Sequence, residues 1–243
     1  MENECFRKRS LKRIVGIIGG MGPETSSKFY LDIIERSRKN CNSYPAIITD
    51  SISVPFSLEK DLIQESKNEN RLLPLLKGSI KRLNKLGIDF IVIPCNTAHI
   101  FINELKKESK VPVVSIIEET VKIVKKRGFR NVGLLATKKT VDSKLYENIL
   151  IENGIDVILP TEEEQKNISR IIIRILRNKA YKEEKKILKK IIENLIKRGS
   201  EAIILGCTDL QIILTKDEFE VELLDSMKIL AESTFQRIVD FER

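Results

Sequence analysis

Two cysteines occupy matching positions in an internal repeat of this chain. Cys95 lies in the segment GIDFIVIPCNTAHI and Cys207 in GSEAIILGCTDLQI, and the glycine that opens each segment is equally far from its cysteine. Both segments have the pattern of a buried β-strand, followed by a sharp break and by polar residues that favour the start of a helix. A thiol at the carboxyl end of such a strand faces the crevice where α/β sheets bind ligands.

A pair of thiols is suited to proton transfer at a weakly acidic carbon, such as the α-carbon of an amino acid. One thiolate removes the proton from one face, the other thiol donates a proton to the opposite face, and the roles exchange in the reverse direction. Peptide N–H groups at a helix start lower the pKa of a thiol and can also hold a carboxylate. We therefore interpret Cys95 and Cys207 as two proton-transfer groups, one for each face of a single substrate.

Other interpretations of the cysteines have less support. Cys5 and Cys41 have no partner in the repeat, so we expect them to be small buried hydrophobic residues. Cys95, His99 and Cys207 could in principle share a zinc ion, but one histidine in the whole chain and the lack of a CxxC pair argue against a metal site. We expect His99 to pack or hydrogen-bond beside the site.

Composition limits the classes of partner. The chain has 243 residues and a formal net charge of +8, but its basic residues are mixed with glutamates along helical stretches and only 5% of residues are aromatic. A nucleic-acid site would need a concentrated basic patch, so we expect neither a nucleic-acid nor a membrane partner. No apolar run is long enough for a membrane span and no secretory signal precedes the first strand, which predicts a cytoplasmic protein with free thiols.

The order of the predicted elements indicates the fold class. Strand and helix patterns alternate, and RIVGIIGGMGPETSSKFYLDIIERS resembles RNVGLLATKKTVDSKLYENILIENG, so the repeat extends beyond the cysteines. Near-continuous apolar strands of this kind form parallel sheets that are covered on both faces. We predict an α/β fold of two pseudo-symmetric domains, each a parallel sheet flanked by helices, with the active site in the cleft between them. Residues 1–117 plus 224–243 form the first domain, with Cys95, and residues 118–223 form the second, with Cys207.

Two further predictions concern the first domain. A single helix is expected from about Leu58 to Leu86. The GGMGP turn is glycine-rich like a phosphate-binding loop, but Thr25 stands where the third glycine of GxGxxG would be, which argues against a dinucleotide site. Pro23 suits the first turn of a helix, and the glycines allow the backbone to approach a small ligand closely.

Four blocks of sequence carry a resemblance to a known family. They are GIIGGMGP at the first turn, PCNTAH at Cys95, PTEEEQK ending at Lys166, and LGCTDL at Cys207. The chain resembles the aspartate/glutamate racemase superfamily from Ile14 onward, and within it the cofactor-independent aspartate racemase branch. The resemblance implies an isomerase that interconverts the L and D forms of an acidic amino acid through two cysteines, without pyridoxal phosphate or any other cofactor. It also implies a homodimer.

The same resemblance implies roles for individual residues. Cys95 and Cys207 would be the paired proton donor and acceptor, and Met21 would line the cleft. Lys166 would pair with the side-chain carboxylate of the substrate, although the sequence alone favours an ion pair between Lys166 and Glu162 one helical turn away. The α-carboxylate or amino group of the substrate would be held by a set of residues that follow the cysteines: Asn96, Thr97, Ala98 and Thr208.

One departure from the family leaves the substrate open. Aspartate racemases tend to carry an arginine in the loop after the second strand, and Ser57 occupies that substrate-binding position here. A guanidinium group binds a carboxylate through two parallel hydrogen bonds, which serine cannot do. The alternatives are therefore a racemase of broader amino-acid range, a hydantoin racemase, or a protein that binds an amino acid without catalysis; retention of both cysteines argues against the last.

Overall fold

The computed structural model describes residues 10–179, 182–214 and 219–240, so Cys5 lies outside the described residues. The strands are β1 (Ser10–Leu11), β2 (Val15–Gly19), β3 (Ile47–Ser51), β4 (Phe90–Val92), β5 (Val113–Val114), β6 (Asn131–Ala136), β7 (Asp156–Ile158), β8 (Ala202–Gly206), β9 (Glu222–Asp225) and β10 (Val239–Asp240). The α-helices are α1 (Pro23–Asn40), α2 (Phe56–Lys60), α3 (Leu72–Leu83), α4 (Ile102–Glu108), α5 (Ile116–Arg127), α6 (Lys138–Asp142), α7 (Leu145–Glu152), α8 (Glu162–Leu176), α9 (Lys182–Lys197) and α10 (Ser226–Ile238).

Two parallel four-stranded sheets form the framework, as the sequence predicts. The first has the order β3-β2-β4-β5 and the second the order β7-β6-β8-β9, so both sheets have the same topology. Every residue of β2 and of β8 is buried, because helices cover both faces of each sheet. A short antiparallel pair, β1 with β10, joins the two ends of the described chain.

Equivalent glycines mark the repeat in the backbone. Gly87 and Gly199, which precede β4 and β8, have φ angles of 64° and 98°. This left-handed conformation is strained for residues with a Cβ atom, so glycine allows the chain to turn sharply from a helix into the strand that leads to each cysteine. The repeat in the sequence is therefore also a repeat in the structure.

The helix predicted from Leu58 to Leu86 is wrong in detail, because the segment is broken. It comprises α2, a π-helix at Asp61–Glu65, a 3₁₀ turn at Glu69–Arg71, and α3. Ser66 and Asn68 between these pieces have positive φ angles of 54° and 60°, which end regular helix. The break allows the π-helix to contact α6 and α8 of the second half of the chain.

A continuous apolar core connects the two sheets. One cluster of buried side chains contains Val15 and Ile17 of β2 together with Val132 and Leu134 of β6. Helices α5 and α10 pack against each other, and α10 also packs against α1. The proposed domain limits stay a prediction; the limit at residue 224 falls within β9, which pairs with β8 of the second sheet. None of the helices in the described part of the chain is long and apolar enough to cross a bilayer.

Candidate active site

One cavity between the two sheets brings the two repeat cysteines together. It has a volume of about 50 Å³ and lies at the carboxyl ends of β2, β4, β6 and β8. One water molecule needs about 10–15 Å³ on this scale, so the space suits part of a small molecule. Six of the predicted site residues line it, and they come from both halves of the chain: Met21, Cys95, Asn96, Thr97, Cys207 and Thr208.

Cys95 is followed by a 3₁₀ helix, Thr97–Phe101, rather than directly by an α-helix. The backbone N–H groups of Ala98 and Thr97 donate to its sulfur and favour the thiolate. Burial has the larger effect and raises the pKa of the Cys95 thiol to about 12, with a further contribution from the Asp209 carboxylate. Cys95 is therefore a protonated thiol in the unliganded protein at neutral pH.

Cys207 is buried beside a carboxylate. Its Sγ atom lies 3.6 Å from Oδ2 of Asp209, to which the thiol donates. Burial and the negative charge of Asp209 raise the pKa of Cys207 well above its usual value, while the backbone N–H of Asp209 acts in the opposite direction. Charge on Cys95 also raises the pKa of Cys207, which indicates that the two sulfurs share one electrostatic environment.

Asp209 connects the second cysteine motif to the glycine-rich turn of the first sheet. The hydroxyl of Thr25 donates to Asp209 Oδ1 at 2.5 Å. Gly22, with φ 81°, approaches so closely that a Cβ atom there would lie 3.0 Å from the same oxygen. This close approach and the positive φ angle explain why the GGMGP turn needs a glycine at residue 22. Burial also raises the pKa of Asp209.

His99 lies behind Cys95 and holds its backbone. The backbone N–H of Ile116 donates to Nε2 of His99 at 3.1 Å, so Nδ1 carries the proton and donates to the Cys95 carbonyl at 2.8 Å. Burial lowers the pKa of His99 to about 4, which keeps the imidazole neutral. The predicted contact of His99 beside the site is thus a hydrogen bond to the backbone of Cys95.

The residues after Cys95 join the two halves of the chain. Asn96 accepts a hydrogen bond from the Tyr146 hydroxyl at 2.7 Å and donates to Ser226 at 3.0 Å. The Thr97 hydroxyl lies 2.9 Å from that of Thr137, which also lines the cavity. Because these partners belong to the second half, the position of the Cys95 turn depends on the packing of both halves.

Three of the predicted binding residues do not line the cavity. Ala98 is fully buried behind Cys95 and reaches the site only through its backbone N–H. Ser57 is exposed on α2. Lys166 has a side chain that is 74% exposed, and its Nζ atom lies 2.8 Å from Glu162 Oε1, which is the ion pair that the sequence alone favours.

The orientation of Lys166 follows from the start of α8. Thr161 and Glu164 form a capping box that fixes the first turn of this helix. Gln165, and not Lys166, points towards the second sheet, where its side-chain amide donates to the Ala136 carbonyl at 3.0 Å. Lys166 therefore does not line this cavity, and the substrate contact that the resemblance assigns to it stays a prediction.

The cavity also contains residues that the sequence did not single out as binding groups. Glu59, Thr137 and Asp209 line it together with apolar side chains of both halves. Asp209 could have been identified from its place in the cysteine motif, whereas no local pattern distinguishes Glu59 or Thr137. Within the described residues there is no group of three or more histidine, cysteine, aspartate or glutamate side chains arranged to hold a metal ion.

Comparisons with known proteins identify the family of this chain. A sequence profile described as Asp/Glu/Hydantoin racemase matches residues 18–234. The chain belongs to this family. The broad specificity amino-acid racemase of Bacillus subtilis is 29% identical to this chain. The alignment covers 94% of this chain and 100% of that racemase.

Solved structures of the family share the fold. An aspartate racemase homologue from Pyrococcus horikoshii has a TM-score of 0.76 and 31% identity, with 93% of this chain and 99% of that chain covered. The Picrophilus torridus aspartate racemase has a TM-score of 0.78 and 26% identity, with 95% and 96% covered. The predicted α/β fold and the predicted superfamily are confirmed. The Asp/Glu/hydantoin racemase family, to which this chain belongs, is a family of isomerases.

Proposed function

We propose that this protein is a cofactor-independent amino-acid racemase that uses Cys95 and Cys207 as its two proton-transfer groups. The observation that carries the proposal is that both thiols line one cavity at the carboxyl ends of equivalent strands. The names of the relatives support it, since they include a broad specificity amino-acid racemase and a glutamate racemase from Aquifex pyrophilus. A homodimer and a cytoplasmic location stay predictions.

The reaction requires one thiolate and one thiol. The thiolate takes the α-proton of the amino acid, and the electron pair of the broken C–H bond remains on the substrate as a carbanion. The thiol on the opposite face then donates its proton to the same carbon, so the configuration inverts and the two sulfurs exchange protonation states. Charge interactions with the carbanion-like transition state are stronger among the largely buried side chains of this cavity than in water.

Asp209 is the group suited to accept a proton when a thiolate forms in this buried site. Both thiols have raised pKa values, so neither ionises readily on its own. The carboxylate of Asp209 lies within hydrogen-bonding distance of Cys207 and has a raised pKa itself, which makes it a better proton acceptor. We infer that Asp209 accepts the proton of Cys207 when substrate binds, and that Thr25 holds Asp209 in place.

Backbone N–H groups and hydroxyls are the groups suited to hold the substrate's common part. The N–H groups after Cys95 donate towards the sulfur, in the position where an α-carboxylate would also be stabilised. Thr97, Thr137 and Thr208 also line the cavity, and their hydroxyls could donate to the same group after rotation away from their present protein partners. Met21 forms part of the apolar wall.

The prediction of an acidic substrate receives no support from the position of Lys166. Its ammonium group is exposed and paired with Glu162, so it does not offer a positive charge to a side-chain carboxylate. The proposed activity is therefore racemisation of amino acids without restriction to aspartate and glutamate.

Exchange of the α-proton with solvent tests the proposal directly. In deuterated water, without added cofactor, both enantiomers of at least one amino acid should lose their α-proton signal in proton NMR. A screen should include the common amino acids and a substituted hydantoin. Exchange confined to the hydantoin would favour the hydantoin racemase alternative, and saturable binding without any exchange would favour a binding protein.

A further inference from the structure

The charges that line the cavity indicate the class of side chain that the substrate carries. The described lining residues include two carboxyl groups, Glu59 and Asp209, and contain no lysine, arginine or histidine. Asp209 is committed to Thr25 and Cys207. Glu59 is half-buried, and within the described part of the chain no cationic side chain forms an ion pair with it.

Glu59 stands at the outer edge of the cavity. It lies on α2, and Leu58 beside it is fully buried, which fixes the rotation of that helix. Glu59 and Leu176 line both the cavity and an adjacent surface groove, so the two spaces meet at these residues. We define the path from the cysteines through this meeting point to the groove as the side-chain path. A substrate whose α-carbon lies between the cysteines and whose side chain follows this path would bring the end of that side chain close to Glu59.

The walls between the cysteines and Glu59 are apolar. Leu62 and Ile63 of the π-helix and Ile172 of α8 line the cavity, and all three are buried. In such surroundings a carboxylate without a cation is costly, and two carboxylates in proximity repel each other. An amide or ammonium group, by contrast, could donate a hydrogen bond to Glu59.

We propose that Glu59 is a specificity residue, and that this racemase prefers amino acids whose side chain ends in an amide or ammonium N–H group over aspartate and glutamate. The inference rests on the proposed function, since it names the substrate class of the same site. The cations that line the adjacent groove, Arg177 and Lys179, are both exposed. An acidic side chain would therefore pass a negative charge before it reached them.

The test compares glutamine with glutamate, which have nearly the same size and differ in side-chain charge. The wild-type kcat/KM for racemisation should favour glutamine, and ornithine should also be a substrate. The expected preference over glutamate is about tenfold or more, which corresponds to about 1.4 kcal/mol. In the Glu59→Gln variant this preference should shrink to near unity through a gain with glutamate, and activity with ornithine should fall.

A matched control separates this effect from a general change in charge. Glu65→Gln removes the same charge from an exposed position of the adjacent π-helix and should leave the preference unchanged. An equal loss with every substrate in Glu59→Gln would show that Glu59 does not discriminate between substrate side chains, and would overturn the proposal. So would a wild-type preference for glutamate over glutamine, whether or not it disappears in Arg177→Gln. Absence of exchange with all amino acids would refute the proposed function itself.

Discussion

The Cys207 thiol donates a hydrogen bond to the carboxylate of Asp209, with 3.6 Å between Sγ and Oδ2. This relationship has two opposite electrostatic consequences. The negative charge of Asp209 disfavours the Cys207 thiolate, but the same group can receive the proton that must leave the sulfur. Substitution of Asp209 can therefore distinguish a proton acceptor from a charge that only opposes ionisation.

Asp209→Asn should slow racemisation and at the same time make Cys207 more reactive. Loss of the proton acceptor should lower kcat by about 10²-fold or more at neutral pH, within the range for a general base. Loss of the negative charge should lower the pKa of Cys207 and speed its alkylation by iodoacetamide. The exposed Asp156→Asn variant serves as control. Faster alkylation with unchanged kcat would show that Asp209 does not accept the proton.

The pH profile provides an independent test of the same mechanism. The resting state has two thiols and one ionised carboxylate. If Asp209 takes the proton of Cys207, the active state has one thiolate, one thiol and one protonated carboxyl group, so the two states hold the same number of protons. The wild-type kcat/KM should then fall as pH drops through the raised pKa of Asp209 and should be independent of pH between that pKa and the raised pKa values of the thiols. In Asp209→Asn the value should instead rise about tenfold per pH unit, because a proton must leave to solvent. A rise of this size in the wild-type protein would contradict the mechanism.

Each cysteine should act on one enantiomer. Cys95→Ser and Cys207→Ser should each reduce full racemisation by about 10²–10⁴-fold. Each variant should still exchange the α-proton of one enantiomer with deuterated water, and the two variants should differ in which one. Cys41→Ser is the control, because Cys41 is buried with Phe235 and Val239 in a separate cluster. Full activity of either active-site variant would disprove the two-thiol assignment.

His99 should make folding stability depend on pH. Its pKa is about 4 in the folded protein and 6.5 without burial, so the folded state favours the neutral ring. This contribution is fully present above about pH 6.5 and is lost as pH falls towards about 4, where the cost is about 3 kcal/mol. The free energy of unfolding should be measured in urea at about pH 7 and about pH 4 for the wild type and for His99→Asn. The decrease between the two pH values should be about 3 kcal/mol smaller in His99→Asn than in the wild type. An equal loss in both proteins would show that His99 does not titrate as described.

The sequence by itself determined the fold class and predicted the pair of cysteines proposed here for proton transfer. Strand, turn and glycine patterns are local, and the repeat places Cys95 and Cys207 at equivalent strand ends without information on long-range contacts. Local pattern was sufficient to place each cysteine at the carboxyl edge of its own sheet, whereas the packing of the two sheets brings both edges to one cavity. Local sequence pattern was not sufficient to predict the structure of the segment after β3, because residues with positive φ angles divide the expected helix there.

Only the tertiary structure decided which other side chains reach the cavity. Glu59 and Thr137 line it while Ser57 and Lys166 face solvent, although all four lie in segments near the site. Which side of a helix faces a cavity depends on its rotation, and that is set by distant partners: buried packing for α2 and the Gln165–Ala136 contact for α8. Such long-range packing leaves no signature in a short stretch of sequence.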